Sequence, residues 1–266
     1  MPELPDVEVY RRRLDRGVLN KTIRKVSVSD SRILDGVNAA TLARRLKGRR
    51  FVDTRRHGKH LLVRLDKGGW VHFHFGMTGA VHHIRDGDRP LPYTRVRFDF
   101  SDGDHLAYTS KRLLGRVGLT ADADAFVAEH ALGPDALDSE MDLAAFRKAL
   151  SGTTRAVKAA LMDQEALAGI GNVYSDEILF HARIDPRTPA TKLDAAKMRR
   201  LHRTMRRLLE TAVERGAGSD DFIDRVPRGW LLPHRHKDGR CPRSHGALAT
   251  YKIGGRTSYF CPRCQR

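Results

Sequence analysis

Long apolar runs are missing from this sequence. No stretch approaches the ~18 residues expected of a membrane-spanning helix, and the opening MPELPDVEVY has neither a basic leader nor the apolar core of a signal peptide. The expectation is a cytoplasmic protein without a membrane partner. Cysteine is scarce, with three in 266 residues, all within the last 26. An odd count in a chain read as unsecreted argues against a disulfide scaffold and leaves metal binding as the better use. Internal repeats and low-complexity segments are absent, which excludes a solenoid. Acidic side chains are the minority: 32 Asp and Glu face 49 Lys and Arg, a formal charge of +17. Folding does not require such an excess, so a polyanionic partner, nucleic acid first, is expected.

What is present is ordered along the chain. From Leu4 to Leu19, Val7, Tyr10, Leu14 and Val18 recur at helical spacing, predicting a first helix. From about Thr22 to Ala107 short alternating runs take over, among them LLVRL, WVHFHF, VRFDF and HLAYT, joined by turns such as DKGG and SDGD. These predict hairpins of an antiparallel sheet or sandwich. In VRFDF, Val96, Phe98 and Phe100 share one face, and Arg97 and Asp99 the other, which is expected to be wet. Beyond about residue 122 helical periodicity replaces the strands, with Gly133, Pro134 and Asp135 as punctuation. Thr191 and Asp194 are read as a capping box for a helix that carries Leu201, Met205, Leu208, Leu209 and Ala212 and stops before Gly216. Residues 216–235 are expected to be irregular.

The tail reads CPRSHGALATYKIGGRTSYFCPRC. Cys241 and His245 form one close pair, Cys261 and Cys264 another, and two such pairs joined by a hairpin can enclose a tetrahedral zinc ion without a large core. His234 or His236 stands as an alternative fourth ligand. Gly254 and Gly255 are expected to make the hairpin turn. Residues 228–266 hold nine Lys or Arg against one Asp, a charge suited to phosphate contact, with Arg256 beside the turn as the leading contact. At the other end, removal of a methionine that precedes proline exposes the secondary amine of Pro2, followed by Glu3. An α-amino group titrates at about 7.7–8.0, so a useful fraction is neutral and nucleophilic near pH 7. Its adduct with an aldehyde carbon is a cationic iminium, which acidifies neighbouring sugar hydrogens, and Glu3 stands beside it as acid or base.

Taken together, MPELPDVE, RRHGKHLLVRL, HFGMTG, YTSKRLLG, LGPDAL, KAALMDQEALAGIGNVYSDEILFHARIDP and GGRTSYFCPRCQR resemble, in order and over nearly the whole chain, the formamidopyrimidine-DNA glycosylase and endonuclease VIII family. The resemblance implies an α+β chain: an N-terminal antiparallel β-sandwich catalytic domain (1–125), a helical helix-two-turn-helix domain (126–228) and a C-terminal zinc-finger β-hairpin (229–266). It implies a base-excision DNA glycosylase with lyase activity, acting as a monomer on damaged double-stranded DNA and carrying one structural Zn2+. Carried onto matching positions, it makes Pro2 the nucleophile, Glu3 the acid or base and Lys59 a strand lysine that contacts phosphate or assists protonation. His74 becomes a phosphate contact, and Met77 a filler of the space left by an extruded nucleotide. Arg112 becomes the residue that probes the opposite base. The physical reading of GIGN adds that Gly169 and Gly171 admit a phosphate to the backbone, with Asn172 capping the next helix and Lys158 adding charge.

Departures from the family pattern bear on substrate. Leu113 and Leu114 replace the commoner arginine and phenylalanine, and a leucine wedge at Leu114 still unstacks a base step. Residues 216–235 do not match the glycine-rich lesion-capping loop, Asp6 replaces glutamate, and His245 replaces a cysteine. The unmatched loop weakens an assignment to 8-oxoguanine, so within an enzyme of oxidised bases a preference for pyrimidines, bulky or crosslinked adducts stands as the alternative, while the histidine keeps the zinc site with one negative charge fewer. The rival from another class is a non-catalytic zinc-finger DNA-binding or lesion-sensing protein.

Overall fold

The computed structural model describes residues 1–266, which divide into two compact units: residues 1–2 with 6–130, and residues 3–5 with 131–266. Helix α1 (Leu4–Gly17) is followed by β1 (Ile23–Val28), β2 (Leu34–Asp35), α2 (Ala39–Leu46), β3 (Phe51–His57), β4 (His60–Leu65), β5 (Trp70–His74), β6 (Gly79–Ile84), β7 (Thr94–Phe100), β8 (His105–Ser110), β9 (Arg116–Thr120) and α3 (Ala123–Glu129). The strands form two sheets, ordered β1-β7-β8-β6 and β2-β9-β5-β4-β3. Every pairing is antiparallel except the short β2–β9 contact.

Period-two alternation explains why the sheets stack. Val96, Phe98 and Phe100 of β7 and Leu61, Val63 and Leu65 of β4 share one core with Val7, Tyr10 and Leu14 of α1. Arg97 and Asp99 take the opposite face and pair with each other at 2.6 Å, but Asp99 is buried there, so that face is not wet throughout as expected. The outer face of the other sheet is covered. Leu62 and Trp70 pack there under Ala123 and Phe126 of α3, beside the rings of His60, His72, His74 and His130. Helix α2 went unread in the sequence although its cap is visible there: Asn38 accepts the Thr41 N–H, and Leu42 and Leu46 follow one turn apart.

The second unit holds α4 (Leu143–Leu150), α5 (Val157–Met162), α6 (Asn172–Ala182), α7 (Ala195–Glu214), the single turn α8 (Phe222–Arg225) and the hairpin β10 (Ala249–Ile253) and β11 (Arg256–Phe260). Helix α7 buries Leu201, Met205, Leu208, Leu209 and Ala212 as expected. Its cap differs from the expected box. Asp194 is the N-cap, accepting the Lys197 N–H at 2.7 Å, while Thr191 lies in a preceding 3-10 turn, Ala190–Lys192. Asp194 sits in extended backbone with its oxygen within reach of the first turn, and this leaves the threonine no role there. Helix α6 is buried on nearly every side, yet carries Asp176 and Glu177 at 1 % exposure. No helix is long and apolar enough to cross a membrane.

Candidate functional site

The chain start is anchored by its second and third residues after methionine. Glu3 is buried, and its carboxylate accepts the backbone N–H groups of Gly171 (2.7 Å), Val173 (2.8 Å) and Tyr174 (3.2 Å). Those are donors that an α-helix leaves unsatisfied at its amino end, where a negative charge is also favoured by the helix dipole. The Leu4 N–H adds a bond to the Gly169 carbonyl at 3.1 Å. The two glycines therefore serve a purpose beyond the expected one. A Cβ on Gly171 would lie 2.5 Å from the Glu3 carboxyl carbon, and one on Gly169 would lie 2.4 Å from the Leu4 side chain. They admit the chain's own residues 3 and 4. Asn172 does not cap α6 either; Gly171 holds the N-cap position without a side-chain bond, and Asn172 is the first helical residue. Pro2, immediately before Glu3, is half-buried.

Within the first unit, Lys59 lies in the two-residue turn between His57 and His60 rather than within a strand. Gly58 precedes it with φ +55°, at the turn position that favours glycine. His74 ends β5 on the covered sheet face. Burial, then the charges of Lys59 and Arg116, hold its imidazole below the usual histidine range, so it is neutral at pH 7 and donates a single N–H.

Met77, Arg112 and Leu114 belong to two loops that the fold presses together. The Arg112 N–H bonds to Thr78 Oγ1 at 3.1 Å. A Cβ on Gly76 would come within 2.4 Å of the Leu114 carbonyl group, and one on Gly115 would lie 1.8 Å from the Tyr108 hydroxyl. That hydroxyl donates to the His74 carbonyl at 2.8 Å, tying both loops to β5. Arg112 is exposed, Met77 half-buried, and Leu114 is 48 % exposed, unusual for leucine. Between them Leu113 adopts φ +55° while packing on the core, a left-handed backbone that costs a non-glycine residue on the order of 1 kcal/mol. The two loops that carry the three expected residues are thus packed against each other.

In the second unit the sequence reading missed a polar hub. Lys158 is fully buried, and its ammonium donates to Asn172 Oδ1 (2.8 Å) and Asp176 Oδ1 (2.6 Å), so it stands behind the surface instead of adding charge to it. Burial lowers its pKa and the Asp176 carboxylate opposes that. Asp176 also accepts from Ser258 Oγ (2.7 Å), the Tyr259 N–H (3.1 Å) and both Nε and Nη2 of Arg235 (3.2 and 2.8 Å). Next to it, Glu177 accepts the N–H groups of Leu231 and Leu232 at 2.8 and 2.7 Å. The signal was legible: two adjacent acids inside an otherwise apolar helix must find buried partners.

Arg256 is exposed where β11 leaves the turn formed by Gly254 and Gly255, whose φ values of +54° and +71° suit a type I′ hairpin. Cys241, His245, Cys261 and Cys264 converge, their donor atoms all within 4.8 Å of one another. Cys241 Sγ lies 3.6 Å from Cys264 Sγ and 3.9 Å from His245 Nδ1, while His245 Nδ1 and Cys264 Sγ are 2.7 Å apart. The sulfur–sulfur separation matches the edge of about 3.7 Å in a tetrahedron with metal–sulfur bonds near 2.3 Å. The donor set, three sulfurs and one imidazole, suits zinc, and His245 completes it instead of His234 or His236. Tight turns hold the ligands: the Cys241 N–H reaches the Gly246 carbonyl and the Cys264 N–H the Cys261 carbonyl. Phe180 and Leu231 back the cluster.

Comparison with known proteins agrees along the chain. A family model for the formamidopyrimidine-DNA glycosylase N-terminal domain matches residues 1–117, and one for the formamidopyrimidine-DNA glycosylase H2TH domain matches residues 132–224. The formamidopyrimidine-DNA glycosylase of Heliobacterium modesticaldum is 34% identical, with all of both chains covered. That of Moorella thermoacetica is 38% identical over 99% of this chain and 92% of the relative. A crystal structure of the Lactococcus lactis Fpg protein complexed with a FAPY-dG containing DNA aligns over 99% of this chain and 100% of the other, with a TM-score of 0.87 at 25% identity.

Proposed function

The chain belongs to the formamidopyrimidine-DNA glycosylase family, and from that premise we propose that it excises a damaged base from double-stranded DNA through the amine of Pro2 and then nicks the strand. The observation that carries the reading is the seat of Glu3: three amides of α6 grip its carboxylate and so fix the position of the residue that follows the nucleophile. With Met1 removed, the neutral Pro2 nitrogen attacks C1′ of an extruded nucleotide. The N–C1′ bond forms as the glycosidic bond breaks, and the base leaves with a proton. The proline nitrogen then loses its proton and the C1′–O4′ bond opens, O4′ taking up a proton, which leaves a cationic iminium; a C2′ proton is lost and the C3′–O bond breaks, loss of the C4′ proton then cleaves the C5′–O bond, and water releases the sugar fragment from Pro2. Glu3 relays protons near the sugar, and Lys59, on its turn, contacts phosphate or assists protonation. Extrusion costs a few kcal/mol and least for a poorly paired base, so the DNA itself contributes selectivity.

His74, Asn172 and Arg256 hold phosphates, Lys158 acts through Asn172, and Met77, Arg112 and Leu114 occupy the gap left by the extruded nucleotide. In this division of labour residues 1–125 carry catalysis, 126–228 the helix-two-turn-helix contact and 229–266 the finger. Cys241, His245, Cys261 and Cys264 would hold one structural Zn2+, which supplies folding energy to the tail and takes no part in the reaction. The protein works as a cytoplasmic monomer. The leucine pair Leu113 and Leu114 supports a pyrimidine or bulky-adduct preference over 8-oxoguanine, because a leucine wedge offers less stacking surface than phenylalanine.

Borohydride trapping on a duplex with an abasic site tests the chemistry. Protein that begins at Pro2 should form a covalent band, and protein with a blocked or extended terminus should form none while still binding. A free-terminus protein that binds but is never trapped would be a lesion-sensing protein without catalysis.

A further inference from the structure

We infer that Asp176 is a positioning residue that makes the finger hairpin and the first turn of α6 a single DNA-gripping body, so that the contacts at Asn172 and Arg256 are gained and lost together. The inference rests on the functional reading above. Each carboxylate oxygen joins partners from different segments. Oδ1 takes the Lys158 ammonium and the Ser258 hydroxyl; Oδ2 takes Arg235 and the Tyr259 N–H. Ser258 and Tyr259 lie on β11, the strand that begins with Arg256. Lys158 reaches back to Asn172, and Arg235 adds a 3.3 Å bond to the Asn172 carbonyl while its guanidinium lies 5.3 Å from the Tyr259 ring centre.

The chemistry of these groups fixes one orientation at the helix start. A lysine ammonium only donates, so the end of the Asn172 amide that faces it must be the oxygen. The NH2 end is thereby left as the donor, on a half-buried residue at the first position of α6. Asp176 keeps the Lys158 ammonium in place against burial, Lys158 sets the Asn172 amide, and the same carboxylate holds the strand that presents Arg256. Two positive groups, Lys158 and Arg235, share this one buried acid, and removing it would leave both short of a partner.

A double-mutant cycle on the full-length, zinc-loaded protein tests the coupling, using equilibrium binding to a duplex with a stable abasic analogue. If the two contacts act as one body, Asn172→Ala and Arg256→Ala together should weaken binding about 5- to 10-fold less than the product of the single effects. With Asp176→Asn in the background the two losses should become multiplicative. Ser258→Ala, which cuts one link to β11 without unbalancing charge, should remove part of the coupling and keeps the test open should Asp176→Asn fold poorly. Multiplicative losses in the parent protein would overturn the inference, as would Asp176→Asn or Ser258→Ala that lowers the melting temperature yet leaves the coupling intact. A parent protein without affinity for the duplex would overturn the functional reading, and this inference with it.

Discussion

His72 is a histidine that the first unit holds in neutral form. Its ring packs on Phe126 at 4.8 Å, its Nδ1 is buried without a partner, and burial, opposed by Asp35, pushes its pKa down to about 4. Neighbouring His60 is pushed down to about 2, by burial and then by His74, His130, His72 and His57. A depressed pKa means that the unfolded chain takes up the proton first. Stability from this pair is therefore complete above about pH 6.5 and drains as pH falls toward the folded values. His72→Phe should leave stability at pH 7 unchanged or raised and should reduce the loss between pH 6.5 and 4 by roughly 1–3 kcal/mol; urea midpoints at both pH values measure it. A loss equal to that of the parent would mean that the acid limb comes from other groups: His60 from about pH 6.5 downward, and carboxylates such as Glu8 below about pH 4.5. Burial opposes ionisation of Glu8, but Arg11, Arg12 and Arg56 outweigh it and hold the group near 2. At this scale the sequence was informative about residue type and silent about neighbours. Gly169 and Gly171 were recognised as points of close approach, but nothing local says that the visitor comes from residues 3 and 4.

Elements were more legible than their caps. The strands follow from alternation, and α7 from its apolar stripe, because both depend on periods of two and 3.6 that the residues display directly. The cap of α7 was misplaced by three residues, since Thr191 and Asp194 each carry an oxygen able to cap and only backbone geometry selects Asp194. Helix α6 has little periodicity to read because it is enclosed on nearly every side. The finger has a small core, a few side chains around Phe180 and Leu231, so its order should depend on the ion. His245→Ala should drop bound zinc from one equivalent to a small fraction, raise proteolysis after about residue 236 and leave the first unit's unfolding unchanged. Metal analysis with limited proteolysis checks this, and full zinc retention would assign the fourth ligand elsewhere.

Over the whole molecule the formal charge of +17 predicts binding that is dominated by phosphate neutralisation. Affinity for undamaged duplex should fall steeply between about 50 and 200 mM salt. Arg256→Ala should weaken binding to all duplexes alike and flatten the logarithmic salt slope by about one, as titrations at several salt concentrations would show. A change confined to one lesion would instead make Arg256 a reader of the damage. The α+β architecture and the convergence of Cys241, Cys261 and Cys264 were visible in the sequence because motif order and spacing carry them, whereas the fourth member, His245, was one of three candidates. The packing of the loops that carry Met77, Arg112 and Leu114 was not visible, since they meet only through the close approach that Gly76 and Gly115 allow.

The grip of α6 on Glu3 has a practical consequence. It is made in a chain that still carries Met1, so seating Glu3 does not require a free proline nitrogen. Recombinant protein bearing an amino-terminal affinity tag should consequently purify well, melt normally and retain its grip on DNA while being chemically inert. An assay of such material would mistake a capped reagent for a protein that never had a reaction to perform.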